Sequence, residues 1–375
     1  MSAPRLEVDL DAVTHNTRTL VDRLAPRGVR VVGVTKAALG SPDLAAAMLA
    51  GGATGLGDSR VENLARLRAC GDPVVADARL TLIRSPMPSQ VDDVVRLATT
   101  SLVTEPRTLD ALSAAALRRG SRHDVVLMVE LGDLREGVPA AELVDLARSV
   151  RHRAGVRLAG IGTNLACQSG VIPGPRTMDE LSRLADVVEA ACGHSLTVVS
   201  GGNSASLGWV LGGDDVGRID ELRLGESLLL GTDPLTRRPV AGLRTDAFSL
   251  VAEVIEVQVK PAQPWGEIGQ AAYGDAPRRP GHGIVRQGLV AVGRQDVDPD
   301  GIAPPEGVVV LGASSDHLVL DLGDLAVGVG DELTFGLGYG ALVRAATSPF
   351  VGWVPVGAGG GSRRRLNERG RWHSP

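Results

Sequence analysis

The sequence predicts a parallel (β/α)₈ barrel followed by a smaller, mainly β domain, and three observations carry that prediction. Between Val13 and about Leu230, eight short apolar, β-branched runs alternate with stretches whose apolar residues are spaced for one face of a helix. After Gly231 the alternation stops, and strand-like runs follow one another across Gly, Pro and Asp turns with no long helix. The chain has 375 residues, 43% hydrophobic and 22% charged. That is enough to bury one large core and a smaller second one.

The elements follow in order. In residues 1–10, Leu6, Val8 and Leu10 alternate with acidic residues, which suits a half-buried strand that joins the β domain. The barrel is assigned to 11–235. Its strands are the runs Val29–Thr35, Thr54–Asp58, Leu80–Arg84, Ser101–Glu105, Asp124–Leu131, Val156–Thr163, Leu196–Ser200 and Glu221–Gly225. Met178, Leu181, Leu184, Ala185, Val188 and Ala191 exemplify the helical spacing between them. Eight strands favour a closed barrel over an open doubly wound sheet. The second domain is assigned to 236–356, with strands at 247–259, 284–293, 307–321 and 331–345. From 357 to 375 a Gly-rich stretch and then an Arg-rich one read as a disordered basic tail.

Composition narrows the function. A net charge of −5 argues against a nucleic-acid partner. No apolar run reaches the ~18–20 residues of a membrane span, and residues 1–9 lack a signal-peptide core. Cys70, Cys167 and Cys192 lack metal spacing and suit a reducing compartment. The expectation is a cytoplasmic protein with a small-molecule partner and no bound metal.

Among 39 basic residues only Lys36 and Lys260 are lysines. A lysine kept in an arginine background points to chemistry that arginine cannot do, since a guanidinium neither deprotonates nor forms an imine. Lys36 directly follows the first barrel strand, at the end where barrels place functional groups. Burial there would free its amine as nucleophile or base, whereas a snorkelling surface lysine is the ordinary alternative and suits Lys260.

Further candidates sit at the same rim. Arg135 lies in the stretch Glu130–Gly137 near the end of the fifth barrel strand, where an Asp-Leu-Arg pattern more often makes a surface ion pair. Gly162-Thr163-Asn164 offers small hydrogen-bonding groups after the sixth. Ser200-Gly201-Gly202-Asn203-Ser204 follows the seventh, and two glycines there let backbone amides approach an anion. Asn203 or Ser204 as a helix N-cap uses the same amides, so the two readings are compatible. On the eighth strand Glu221, Arg223 and Gly225 share one face. An inward Arg223 demands a ligand or a partner such as Glu221.

With these motifs the chain resembles the alanine racemase-type (fold type III) enzymes that depend on pyridoxal phosphate, and within them the ornithine and alanine racemase-like amino acid racemases. Val32–Ala37, Leu131–Gly137, Gly160–Cys167, Ser200–Leu207, Leu222–Gly231, Ala291–Asp298 and Leu311–Asp321 carry the resemblance, with Gly-Arg-Gln-Asp-Val-Asp at 293–298 and Gly-Ala-Ser-Ser-Asp-His at 312–317 its most specific parts. The resemblance implies pyridoxal 5′-phosphate as cofactor, with Lys36 forming the internal aldimine. It puts Arg135 near the phenolic oxygen and Arg223 opposite the pyridine nitrogen. Asn203, Ser204 and the amides around Gly225 and Glu226 fall at the phosphate. It also implies a head-to-tail homodimer, in which the partner's β domain closes each barrel mouth, and racemisation of a free amino acid (ornithine, another basic one, or alanine) through an external aldimine.

One departure stands out. Alanine racemases proper bring a tyrosine as the opposite-face acid/base, and Gln270 stands in its place. Tyr273, Asp316 and His317 are the alternatives, with His317 preferred because an imidazole titrates near neutrality. A structural histidine is the competing reading. A noncatalytic cofactor carrier and a decarboxylase or lyase of the same scaffold are the competing functions. The long β domain, the absence of cysteine beyond Cys192, and His282 and His317 without a companion cysteine count against them.

Overall fold

The computed structural model describes residues 2–274 and 283–357. The chain forms two units, one spanning Ala12–Arg244 and the other made of the residues up to Asp11 together with those from Thr245 on.

In the first unit eight parallel strands close a barrel: β2 (Arg30–Val34), β3 (Gly55–Asp58), β4 (Leu80–Leu82), β5 (Thr100–Val103), β6 (His123–Met128), β7 (Val156–Gly162), β8 (Val198–Ser200) and β9 (Glu221–Leu224), with β9 returning to β2. β1 (Arg5–Asp9) precedes them and belongs to the other unit. The closed barrel is the expected one, and the open sheet is set aside. Strands covered on both faces read as unbroken apolar runs, which is why the sequence marks them so clearly. Leu102, Val126, Met128, Ala159 and Val198 form one buried cluster. Outside, the helix Pro175–Cys192 buries Met178, Leu181, Leu184, Ala185 and Val188 and stops at Gly193, whose φ of 69° suits glycine. Among the described residues no helix is long and apolar enough to cross a membrane.

His123 opens β6 almost wholly buried, its Nε2 2.9 Å from the Ser101 hydroxyl. Burial holds the ring's pKa down at about 4, against 6.5 in the open chain, although Asp124 pulls the other way. The folded state therefore resists a proton that the unfolded chain accepts. Its contribution is complete above pH 6.5 and drains away as pH falls from 6.5 towards 4, amounting to about 3 kcal/mol. Urea titrations across that window are expected to show the loss, and His123→Gln to flatten it.

The second unit is an eight-stranded sheet. Its main path runs β12 (Ile302–Ala303), β15 (Glu332–Leu337), β10 (Phe248–Pro261), β11 (Ile284–Val290), β14 (Leu318–Asp321) and β13 (Val309–Ala313). β1 lies antiparallel to β10 and parallel to β16 (Gly352–Val356). Two expectations are corrected. The stretch 307–321 is not one strand but the hairpin β13–β14, turned at Ser314–His317 where Ser314 N donates to His317 O at 2.8 Å. The second half of 331–345 is the helix Tyr339–Thr347, which buries Ala341, Leu342 and Ala345. Most of the expected tail, and His282, lie outside the described residues.

Candidate active site

The barrel rim is built first by the turn after β2. Val32 pairs with Gly55 on one side and Arg223 on the other, so the ends of β2, β3 and β9 lie together. Beyond Val34 the chain tightens into a short helical turn, Lys36–Ala38. Its entry is fixed by Asp58, fully buried at the end of β3, which accepts hydrogen bonds from Thr35 Oγ1 (2.8 Å), Asn63 Nδ2 (2.9 Å) and Arg60 N (3.0 Å). Burial pushes this carboxyl's pKa up while the donors pull it back. Lys36 follows Thr35 directly. It is half-buried, and its ammonium makes no hydrogen bond or ion pair with any described residue. Lys260, by contrast, pairs with Glu256 Oε1 at 2.5 Å on the other unit.

Arg223 lies inside the barrel, 4% exposed. Its guanidinium donates to Thr163 O (2.8 Å) and to the Ser200 hydroxyl, and Ser200 Oγ donates in turn to Glu221 Oε1 (3.1 Å). The ligand reading and the ion-pair reading thus meet in one network, with Ser200 between cation and carboxylate. Desolvation lowers the arginine's pKa and Glu221 raises it again; burial also pushes the Glu221 carboxyl up. An arginine keeps its proton even so.

Beside it the Gly-Gly-Asn-Ser turn forms a cup. A Cβ on Gly201 would meet Ile219 Cγ2 at 2.6 Å, and Gly202 has φ of +109°, so neither position accepts a larger residue without strain. Asn203 Oδ1 caps Ala205 N at 2.8 Å. The amides of Gly225 and Ser227 both donate to Ser204 Oγ at 3.3 Å, leaving the buried hydroxyl's own proton without an acceptor among the described residues. A Cβ on Gly225 would press on Val34 at 3.3 Å, two residues from Lys36. Glu226 opens the next helix, where its carboxylate pairs with Arg237 at 2.6 Å. It contributes a helix N-terminus here, its charge being taken.

Arg135 and Asn203 are both engaged within the protein, Arg135 in the ion pair its loop pattern allowed. Arg135 forms a two-pronged pair with Glu136 and faces the Cys167 thiol, and the Glu136 bond raises its pKa. Asn203 Nδ2 is spent on Asn164 Oδ1 (3.0 Å), Leu165 O (2.9 Å) and Cys167 Sγ (3.3 Å). Asn164 Nδ2, buried at the rim, has no partner among the described residues. Asp316 and His317 are not part of this constellation; they lie in the other unit, on the β13–β14 turn. His317 Nδ1 stands 2.8 Å from Asp316 Oδ1, and that bond lowers the Asp316 pKa. Tyr273 stacks under Arg294, 5.4 Å from the ring centre, and the carboxamide of Gln270 cannot shuttle a proton as a tyrosine does. In the same unit Asp296 accepts from Ser348 Oγ (2.9 Å) and Asp298 from the Asp300 amide (3.3 Å).

Pyridoxal phosphate fits these residues. An unpaired amine, a buried cation, a hydroxyl with a proton to give, a cup lined by backbone and an orphaned amide N–H match its aldehyde, ring and phosphate. Sequence reasoning named most of these groups, Glu221 among them as a partner for Arg223, but missed the support from Asp58, which takes the Thr35 hydroxyl from another strand end.

The alanine racemase N-terminal domain model matches residues 8–233. The chain belongs to that family. The lysine racemase of Thermotoga maritima is 35% identical over 94% of this chain and 98% of its own length. The ornithine racemase of Acetoanaerobium sticklandii is 34% identical over 93% and 98%. Among solved structures, the alanine racemase of Streptomyces lavendulae superposes with a TM-score of 0.72 at 23% identity, covering 95% of this chain and 98% of that one. The alanine racemase of Bartonella henselae, with covalently bound pyridoxal phosphate, gives 0.70 at 17% identity, covering 95% and 100%. These two establish the fold, and the family is the one the motifs resemble.

Proposed function

We propose that the protein is a racemase of a free basic amino acid, of the lysine or ornithine class, and that it uses pyridoxal 5′-phosphate. The observation that carries this reading is the meeting, at one rim, of the unpaired Lys36 amine, the buried Arg223 cation and the Ser204–Gly225 cup. The basic substrate rests on the two relatives matched over nearly their whole length.

When bound, the cofactor supplies an electron sink that acidifies the Cα–H of an amino acid joined to it. Lys36 would hold it, and its amine would serve as the base on one face of Cα. Ser204 and the adjacent amides would hold the phosphate, and Arg135 would be the cation on the phenolic side. Arg223 would face the ring as a buried cation that donates without giving up its proton, which would keep the sink weak and favour prompt return of the proton to carbon.

The second acid/base is His317 of a second copy, its Nδ1 held by Asp316 so that Nε2 is free to move a proton. His317→Gln is expected to stop interconversion while one enantiomer still exchanges its α-hydrogen in deuterated water. Loss of exchange for both enantiomers argues against this role.

A homodimer accounts for the exposed apolar face of the β10–β11 arm, where Val259 and Ile284 are 66% and 72% exposed on one side of the sheet. Val259→Asp with Ile284→Asp is expected to shift light scattering to monomer mass. Three free cysteines are in keeping with a cytoplasmic protein.

Incubation with a panel of L-amino acids, followed by chiral chromatography, tests the activity. Racemisation without loss of mass, fastest with lysine or ornithine, is expected. Release of carbon dioxide, ammonia or an aldehyde overturns it.

A further inference from the structure

Residues 163–174, between β7 and the helix Pro175–Cys192, have no helix or strand of their own. Yet this loop braces the cup, because Asn164, Leu165 and Cys167 all accept from the Asn203 side chain. What holds the loop is a single buried carboxylate. Asp133 is 2% exposed, and its Oδ2 accepts from the amides of Gln168 (2.9 Å) and Cys167 (3.2 Å). Its Oδ1 accepts from Ser169 N (3.1 Å) and Val171 N (3.5 Å), and Ser169 Oγ donates to the Asp133 carbonyl at 2.7 Å. Backbone amides converging in this way form a nest for an anion, and here the anion comes from the chain itself. Burial works to raise the carboxyl's pKa, but the four N–H groups outweigh it and hold the pKa below the ordinary aspartate value.

We infer that Asp133 is a positioning residue for the cofactor turn: by fixing 167–171 it fixes Asn203, and through Asn203 the shape of the turn Gly202–Ala205. Every group around the Asp133 carboxylate is a donor. Asparagine would point an NH₂ at two N–H groups, and glutamate would overfill a buried site by a methylene. The same logic applies one step along the chain of contacts. Asn203→Asp keeps the acceptor that caps Ala205 but faces Asn164 Oδ1, Leu165 O and Cys167 Sγ with an oxygen instead of a donor.

The inference rests on the function proposed above, and its test separates the two. Hydrogen exchange of the cofactor-free full-length protein reads the loop directly. In Asp133→Asn the amides of 167–171 are expected to exchange at least about tenfold faster, with β6 and β7 unchanged. Titration with pyridoxal phosphate, followed by the visible band, reads the cup. Asp133→Asn and Asn203→Asp are each expected to weaken binding about tenfold. The double variant is expected to stay near tenfold, not the hundredfold of independent sites. A merely structural aspartate would lower stability without that coupling. Unchanged loop exchange, faster exchange with unchanged affinity, or a multiplicative double variant overturns the inference. Should Asp133→Asn not fold, Asn203→Asp with unaltered affinity overturns it as well. A wild-type protein that takes up no pyridoxal phosphate overturns the proposed function, and with it the link to the cup, whatever the loop exchange shows.

Discussion

Lys36→Ala is expected to lower racemisation by about 10⁴-fold or more and to remove the visible absorbance of the lysine-bound cofactor. The effect is large because two roles fall on one nitrogen: it carries the cofactor, and it is the base on one face of Cα. Lys36→Arg is expected to do no better, since charge is conserved but neither an imine nor a neutral amine is available. Lys260→Ala is the control. That lysine is held by Glu256 on a strand of the other unit, and its loss is expected to leave band and rate as they are. Spectra of purified variants, with a chiral assay alongside, decide it. A band that survives Lys36→Ala and disappears with Lys260→Ala places the site elsewhere.

Arg223→Ala is expected to cost about 3–5 kcal/mol of stability, because it strands the Glu221 carboxylate inside the barrel and leaves Ser200 and Thr163 O without their donor. Part of that loss reflects the Glu221 carboxylate left with Arg30 as its remaining nearby cation, so adding Glu221→Gln is expected to recover some of it. Arg223→Lys keeps the charge but cannot reach both acceptors, and falls between. Urea denaturation of the three variants measures the series. Equal stability of Arg223→Ala and wild type would show that the pair does not act as a unit.

How much of this could be read beforehand depended on how locally each feature is encoded. The barrel strands stood out because burial on both faces turns each into an apolar run, and Gly201-Gly202 stood out because backbone conformation and close approach both demand glycine. Lys36 was marked by the scarcity of lysine around it. The hairpin β13–β14 was hidden because the Ser-Ser-Asp-His turn lies between two runs of the same apolar character. The helix Tyr339–Thr347 was hidden behind two glycines at its start, which read as a turn. Asp133 was harder still. Beside Arg135 in sequence it suggested a surface ion pair, whereas the structure gives that arginine to Glu136 and the aspartate to amides more than thirty residues away. No periodicity records a carboxylate whose partners are all main chain.

The placement of β1 between β10 and β16 has a consequence for how the polypeptide is made. Arg5–Asp9 leave the ribosome more than three hundred residues before Gly352–Val356, the strand they lie beside. The barrel, encoded without interruption by Ala12–Arg244, can close during translation, while the earliest strand waits for the last one before its sheet is complete. Expressing the residues from Thr245 onward alone would therefore leave a slot in that sheet, bordered by Phe248–Val251 and Gly352–Val356, and a synthetic peptide of residues 5–9 is the natural piece to fill it.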